Sequence, residues 1–331
     1  MNVFIGTLSA NHAPQTNVNV RQSHTEGTSN SHTGPLAISI CVCTYRRPYL
    51  LTKLLDSLAK QSVGAPFEVI VVDNDSAGGG AEAVEAARKQ HPELYIRYEI
   101  EQQKGISFAR NTAVSLAIGD FIAWIDDDET ASEDWLKLLW LMRSISDADA
   151  VFGPVVPVFP QGSHSWLRRS GIFERPRHAT GATVDAREAR TGNALVKACW
   201  FRTLKHPFDT RLANTGGEDY DFFARIERLG ARFKWCNEAE VFELVPFERQ
   251  RLTWILERRL RSSTQYWRRR NASRARMALR ASVGGIMFVF FCLAGVIAAP
   301  FGLHRAVRLW CYAMGGLGRA VAISGLQWKG Y

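Results

Sequence analysis

Three short apolar runs near the start of the chain each break off in a polar or acidic cluster: AISICVCTY leads into RRP, FEVIVV into DNDS, and FIAWI into DDDE. Each run is too short for a typical helix and has the near-continuous apolar character of a strand buried on both faces. Helical stripes separate them. Leu50, Leu51, Leu54, Leu55 and Leu58 recur at helical spacing, AEAVEAARKQH forms a second helix stopped near Pro92, and ISFARNTAVSLAIG forms a third with Gly119 at its end. LYIRYEI adds a further strand. Strands alternating with helices in such short units predict a mostly parallel sheet covered on both faces. Ligands of such sheets sit beyond the carboxyl ends of the strands, so the three clusters would face one crevice.

Further on, WLKLLWLMRSI predicts a helix and AVFGPVVPVFP a Pro-rich strand. A long loop follows, then NALVKACWF as a strand, GGEDYDFFARIERLG as a helix opening at its acids, and RFKWCNEAEVFELV as a strand or hairpin. Residues 1–35, polar and poor in large apolar side chains, read as a disordered tail without the basic start and apolar core of a secretory signal. Six cysteines without CxxC spacing read as small buried hydrophobes of a reducing compartment.

The net charge of +9 becomes informative once it is located. Residues 249–280 carry eleven arginines, no lysine and a single acid, Glu257, so the remainder of the chain sums to −1. A local block of this kind disfavours a broad nucleic-acid surface. Directly after it, residues 281–303 form a stretch of 23 without a charge, longer than the ~20 that span a bilayer as a helix. Arginines beside such a span fit a cytoplasmic flank and anionic lipid head groups. Residues 304–331 are a second, weaker apolar stretch interrupted by Arg319, which either returns across the membrane or lies at its surface.

Three acidic clusters carry candidate chemistry. Asp126, Asp127 and Asp128 repel one another unless a cation sits among them. Hard oxygen ligands select Mg²⁺ or Mn²⁺, shared with a substrate phosphate; the alternative is an acidic cap on the next helix. Asp73, Asn74 and Asp75 suit a nucleobase edge or ribose hydroxyls, or form an Asx-turn. Glu218, Asp219 and Asp221 either cap a helix or include the carboxylate that general-base catalysis needs. Lys104, Arg110 and Asn111 are available for phosphate or base contacts. Gly78 to Gly80 do not form a G-x-G-x-x-G loop after a strand, which disfavours a dinucleotide-dependent oxidoreductase.

The motifs ISICVCTYRRP, VIVVDNDS, GISFARN, FIAWIDDDE and GGEDYDFFARIERLG occur in an order and spacing that resembles the family 2 glycosyltransferases of GT-A fold, over about residues 36–245. The wording of TYRRP, VVDNDSAG and VFGPVVPVF is most similar to bacterial exopolysaccharide glucosyltransferases of the succinoglycan type. The resemblance implies an α/β GT-A catalytic domain over residues 36–248. Thr44, Tyr45, Arg46, Asp73, Asn74 and Asp75 would line the nucleotide pocket, and Arg110 would hold the base or diphosphate. Asp126 and Asp128 would form a D-x-D that holds the metal, with Asp128 the more direct ligand and Asp126 nearer the ribose, and Asp127 between them would also bind the nucleotide sugar. Asp219 would deprotonate the acceptor hydroxyl, and Glu218, Gly192 and Asn193 would contact the donor or acceptor sugar.

The resemblance also implies an inverting single displacement from a nucleoside-diphosphate sugar, with UDP-glucose the expected donor. Processive members carry Q-x-x-R-W, whereas TQYWRRR has Gln265, Trp267 and Arg268 in another order, so transfer of one sugar is expected. The acceptor is expected to be a saccharide on a polyprenyl diphosphate, with the catalytic domain on the cytoplasmic face of the bacterial inner membrane. Two other classes compete. A sugar nucleotidyltransferase would show a Gly-rich phosphate loop after the first strand, where CTYRRPYLL has no glycine. A non-catalytic, membrane-anchored sugar-nucleotide-binding protein would have no use for Asp126, Asp128 and Asp219 together.

Overall fold

The computed structural model describes residues 36–268 and 274–323; the expected N-terminal tail and residues 269–273 and 324–331 lie outside them. The described residues belong to one compact unit, His32–Tyr331. Its first half alternates as the sequence predicts: β1 (Ile38–Thr44), α1 (Pro48–Leu58), β2 (Phe67–Asp73), α2 (Ala81–Gln90), β3 (Ile96–Ile100), α3 (Ile106–Leu116) and β4 (Phe121–Ile125). Then come β5 (Glu129–Ala131), α4 (Trp135–Ser146), β6 (Ala150–Phe152), β7 (Val155–Val158), α5 (Ser165–Ser170), β8 (Asn193–Lys197), α6 (Ala198–Thr203), α7 (Glu218–Arg228), β9 (Phe233–Trp235) and β10 (Val241–Leu244). Three helices close the chain: α8 (Leu252–Arg268), α9 (Arg274–Ala298) and α10 (Leu303–Val321).

Seven strands form the main sheet in the order β3-β2-β1-β4-β8-β6-β9, and β5-β10-β7 form a smaller one. β1 to β4 run parallel, while β8 lies antiparallel between β4 and β6. Alternate side chains enter opposite layers, as the two-residue strand period requires. Ile38, Ile40 and Val42 pack with the leucines of α1 and with α2 and α4, whereas Cys41, Ile70 and Trp124 pack against α3, α6 and α7.

Four local expectations change. The run AVFGPVVPVFP is two strands in different sheets, parting at Gly153, whose backbone passes so close to Ala239 O and Asn193 Nδ2 that no Cβ fits. β9 and β10 do not pair as a hairpin; β9 joins β6 and β10 joins β5 and β7. NALVKACWF is a strand only to Lys197 and then becomes α6. The charge-free run 281–303 is not one helix. α9 starts earlier, at Arg274, and gives way to a 3₁₀ turn at Ala299–Phe301, where Pro300 supplies no N–H, before Gly302 at φ +128° reverses the chain.

α10 packs back along α9. A Cβ on Gly284 would stand 2.5 Å from Gly316 O, and one on Gly316 would stand 2.7 Å from Gly284 O, a close approach of the kind small residues allow between helices. Among the described residues one helical segment, Ala275–Phe301, is long and apolar enough to cross a membrane. All six cysteines are free.

Candidate active site

The site is built where the strand ends converge. The register sets Thr44 beside Asp73, and Cys41 beside Trp124, so β1, β2 and β4 finish side by side. Thr44 Oγ1 donates to Asp127 Oδ2 at 2.8 Å, and Arg47, at the head of α1, donates to Asp127 Oδ1 at 2.9 Å and Asp128 Oδ2 at 3.1 Å. From the far end of the domain Arg249 reaches the same Asp128 oxygen at 3.2 Å and Glu243 at 3.1 Å. Arg110, buried on α3, lies 3.7 Å from Asp126 and pairs with Glu218 of α7. These three arginines are the positive charge that the aspartate row requires.

Asp126 is the aspartate of the row that opens into the cavity, its side chain 46% exposed. Protein surrounds the cavity floor, and this desolvation pushes its carboxyl up to about 6; Arg110 pulls it down, while Asp128 and Asp127 add to the rise. Burial also raises Asp127 and, more strongly, Glu129. Glu129 is buried and accepts the Asp126 N–H at 2.9 Å. Gly192 closes over this pair. A Cβ there would stand 2.9 Å from Glu129 Oε1 and 3.1 Å from Asp126 Oδ2, so the wall can approach the carboxylates only without a side chain.

Asp219 sits in the first turn of α7, with Glu218 and Asp221, after Gly216 and Gly217 in left-handed backbone. A helix start favours such acids. The Tyr220 N–H donates to Asp219 Oδ1 at 2.7 Å. Asp126, Arg110, Gly192 and Asp219 all line one cavity of about 540 Å³.

The DNDS end is organised differently from the expectation. Asp73 is fully buried, and its carboxylate accepts from Asp75 N (2.9 Å), Gly80 N (2.7 Å) and Tyr98 Oη (2.8 Å). It therefore fixes the loop instead of lining a pocket. Asn74 is likewise committed, donating to Glu101 O and Gln103 O and accepting from Gly105 N. Asp75 takes Arg46 at 3.0 Å. Arg46 holds a left-handed backbone, φ +57°, which costs a non-glycine residue about 1–2 kcal/mol. Half-exposed Tyr45 lies under both Arg46 and Lys104, at 5.1 and 5.3 Å.

Asn193 is a plain correction. It is 2% exposed, accepts from Trp135 Nε1 at 2.8 Å, and donates to Pro154 O at 3.0 Å and Ala239 O at 2.7 Å. Every polar atom of the side chain is used inside the protein, so it does not contact a sugar. Sequence reading also passed over Arg47, Glu129, Arg175, Glu243 and Arg249. Only the second arginine of TYRRP and the fourth acid of DDDE stood near enough to a recognised motif to signal themselves.

Among the described residues no three His, Cys, Asp or Glu side chains gather into a ready metal site. The donor set nevertheless suits a hard cation of the Mg²⁺ type, which binds through one or two carboxylates and substrate phosphates and not through an all-protein cage.

A mostly parallel sheet with an acid cluster at its strand ends, an antiparallel strand inserted beside it and a cavity over both defines a GT-A glycosyltransferase fold. The chain belongs to glycosyl transferase family 2, whose description matches residues 39–206. It is 37% identical over 298 residues to the succinoglycan biosynthesis protein ExoM of Rhizobium meliloti (strain 1021), covering 88% of this chain and 93% of that protein. Two solved structures share the fold. The mannosyltransferase PcManGT from Pyrobaculum calidifontis, in complex with GDP-Man and Mn²⁺, gives a TM-score of 0.57 at 18% identity over 87% of this chain and 88% of that one. TarS 1-349 of S. aureus in complex with UDP gives 0.52 at 17% identity over 89% and 93%.

Proposed function

We propose that this chain is a non-processive, inverting glycosyltransferase of exopolysaccharide synthesis. It moves one glucose from UDP-glucose to a saccharide carried on a polyprenyl diphosphate, at the cytoplasmic face of the bacterial inner membrane. The observation that carries the reading is the single cavity shared by Asp126, Arg110, Gly192 and Asp219. The likeness to the succinoglycan biosynthesis protein supports the polymer class, and the apolar segment Ala275–Phe301 supports a lipid-bound acceptor.

In this reading Asp126 and Asp128 would hold Mg²⁺ or Mn²⁺ together with the donor diphosphate, and such an ion would supply positive charge to the leaving group. Arg110, fixed between Glu218 and Asp126, sets a permanent positive charge beside the diphosphate. Asp219 receives the proton of the acceptor hydroxyl. The Tyr220 N–H holds Oδ1, which leaves Oδ2 for the proton. The acceptor oxygen bonds to the anomeric carbon on the face opposite the departing UDP, so the configuration inverts. Tyr45, Arg46 and Lys104 form the open rim over the nucleotide.

Asp219→Asn keeps the shape and removes the base. Transfer from radiolabelled UDP-glucose to membranes bearing the acceptor should fall about 10²–10⁴-fold, with UDP affinity unchanged. Equal slow turnover by both proteins, with normal UDP binding, would sink the assignment.

A further inference from the structure

The arginines that line the cavity of Asp126 and Asp219 differ in what they hold. Arg110 pairs with Glu218 and lies 3.7 Å from Asp126, and Arg175 holds Glu243 at 2.9 Å. Arg258 and Arg259 belong to α8. Arg190 stands on the loop that enters β8, two residues before Gly192, and lines the same cavity. It is exposed, and among the described residues its one hydrogen bond is donated to the carbonyl of its own neighbour, Ala189.

Four acids line this cavity: Asp126, Glu174, Asp219 and Glu243. Asp126 faces Arg110, Glu243 is held by Arg175 and Arg249, Asp219 accepts the Tyr220 N–H, and Glu174 is exposed. None of the four is ion-paired with Arg190 among the described residues. Arg190 also lines a smaller neighbouring cavity of about 170 Å³, whose acid, Glu188, lies 2.9 Å from His178 Nε2. Carboxylates around the cavity repel an entering diphosphate, which therefore needs fixed positive charge close to its own oxygens. Asp126 shows where. Its Oδ1 faces Arg110, and its Oδ2 faces the bare Cα of Gly192, where a Cβ would stand 3.1 Å away. A group lying before Asp126 thus has Arg110 on one side and the Gly192 wall, with Arg190 leading into it, on the other. A guanidinium with no carboxylate to satisfy can turn its planar fork to two phosphate oxygens.

We infer that Arg190 binds the sugar-bearing phosphate of the donor, on the side of Asp126 opposite Arg110. As the bond from the anomeric carbon to the phosphate oxygen breaks, its electron pair stays on that oxygen and the negative charge there grows. A permanent cation at this place therefore binds the transition state more strongly than the ground state. The inference deepens the transfer reading and rests on its claim that the donor diphosphate lies before Asp126.

UDP and UMP are the probes, titrated calorimetrically into the detergent-solubilised full chain at one fixed Mg²⁺ concentration. Arg190→Gln should weaken UDP at least about tenfold, the scale of one lost charge-assisted hydrogen bond, and leave UMP within about twofold. The unfolding midpoint should not move, because Arg190 holds no other side chain in place. Arg190→Lys, which keeps the charge, should recover most of the UDP affinity. Unchanged UDP affinity in the Gln variant overturns the inference, and a raised KM for the acceptor beside it would give Arg190 to the acceptor. An equal loss for UDP and UMP would move Arg190 to the nucleoside end and also overturn it. If the wild-type chain takes GDP in preference to UDP, the donor assignment of the transfer reading fails. The ratio of GDP to GMP affinity in the Gln variant then decides the role of Arg190, so either claim can fail alone.

Discussion

Asn193 spends its whole side chain inside the protein, bridging Trp135 to the carbonyls of Pro154 and Ala239. Each buried polar group stranded by its removal costs about 1–3 kcal/mol. Asn193→Ala should therefore destabilise the fold by about 3 kcal/mol or more, seen as a lowered unfolding midpoint, with the KM for UDP-glucose within twofold of wild type. A sugar-contacting residue would behave in the opposite way, raising KM at constant stability. The neighbouring Gly192 lines the cavity and Asn193 does not. Both stand in one motif, but side-chain direction alternates along the chain here. One residue meets the carboxylates and the next points into the joint between two sheets. Asp73 is a similar case. Its position at a strand end signalled a ligand pocket, yet its oxygens are filled by the turn itself.

Among the elements, long apolar runs declared themselves and three-residue strands did not. β1, β2 and β4 are buried on both faces and need no partner to be recognised, whereas β5, β6 and β9, of three residues each, are too short to show a repeating pattern. Their places are set by side chains remote in sequence. Asp149, at the start of β6, accepts from Arg232 N at 2.9 Å and from Lys197 Nζ at 2.9 Å, tying β6 to the strands on either side of it. Burial works to raise this carboxyl, but the Arg232 N–H and Lys197 together hold it below the ordinary range. A carboxyl depressed by folding adds stability that is fully present above its unfolded pKa, about 3.9. That stability is lost as pH falls through the lower folded value. Asp149→Asn should accordingly lower stability by about 1–3 kcal/mol at neutral pH. The gap between variant and wild-type unfolding midpoints should then close as the pH is taken below about 4. A gap that stays constant with pH would mean that the ion pair contributes nothing.

Over the whole molecule, the arginine block divides into parts with different surroundings. Arg249 turns inward to Asp128 and Glu243, and Arg258 and Arg259 line the cavity. Composition placed these charges beside an apolar helix but gave no sign that the first of them reaches a strand-end aspartate 121 positions away. α9 itself turns Ile286, Val289, Phe290, Leu293, Val296 and Ile297 outward, while Gly284 and Gly295 pack against α10. In water that outward face would be an unfavourable patch, and in a bilayer it is solvated. An aspartate at the centre of a spanning helix costs about 2.5–3.5 kcal/mol. Ile286 and Phe290 are 70% and 63% exposed near the middle of the segment Ala275–Phe301, so replacing both should cost about 5–7 kcal/mol of membrane affinity. The wild-type chain should stay in the membrane pellet through alkaline carbonate extraction, as should Ile286→Ala/Phe290→Ala. Ile286→Asp/Phe290→Asp should move to the supernatant with UDP binding intact, because neither side chain packs against the catalytic domain. Retention of the doubly charged variant in the pellet would mean that the outward face of α9 is not in contact with lipid.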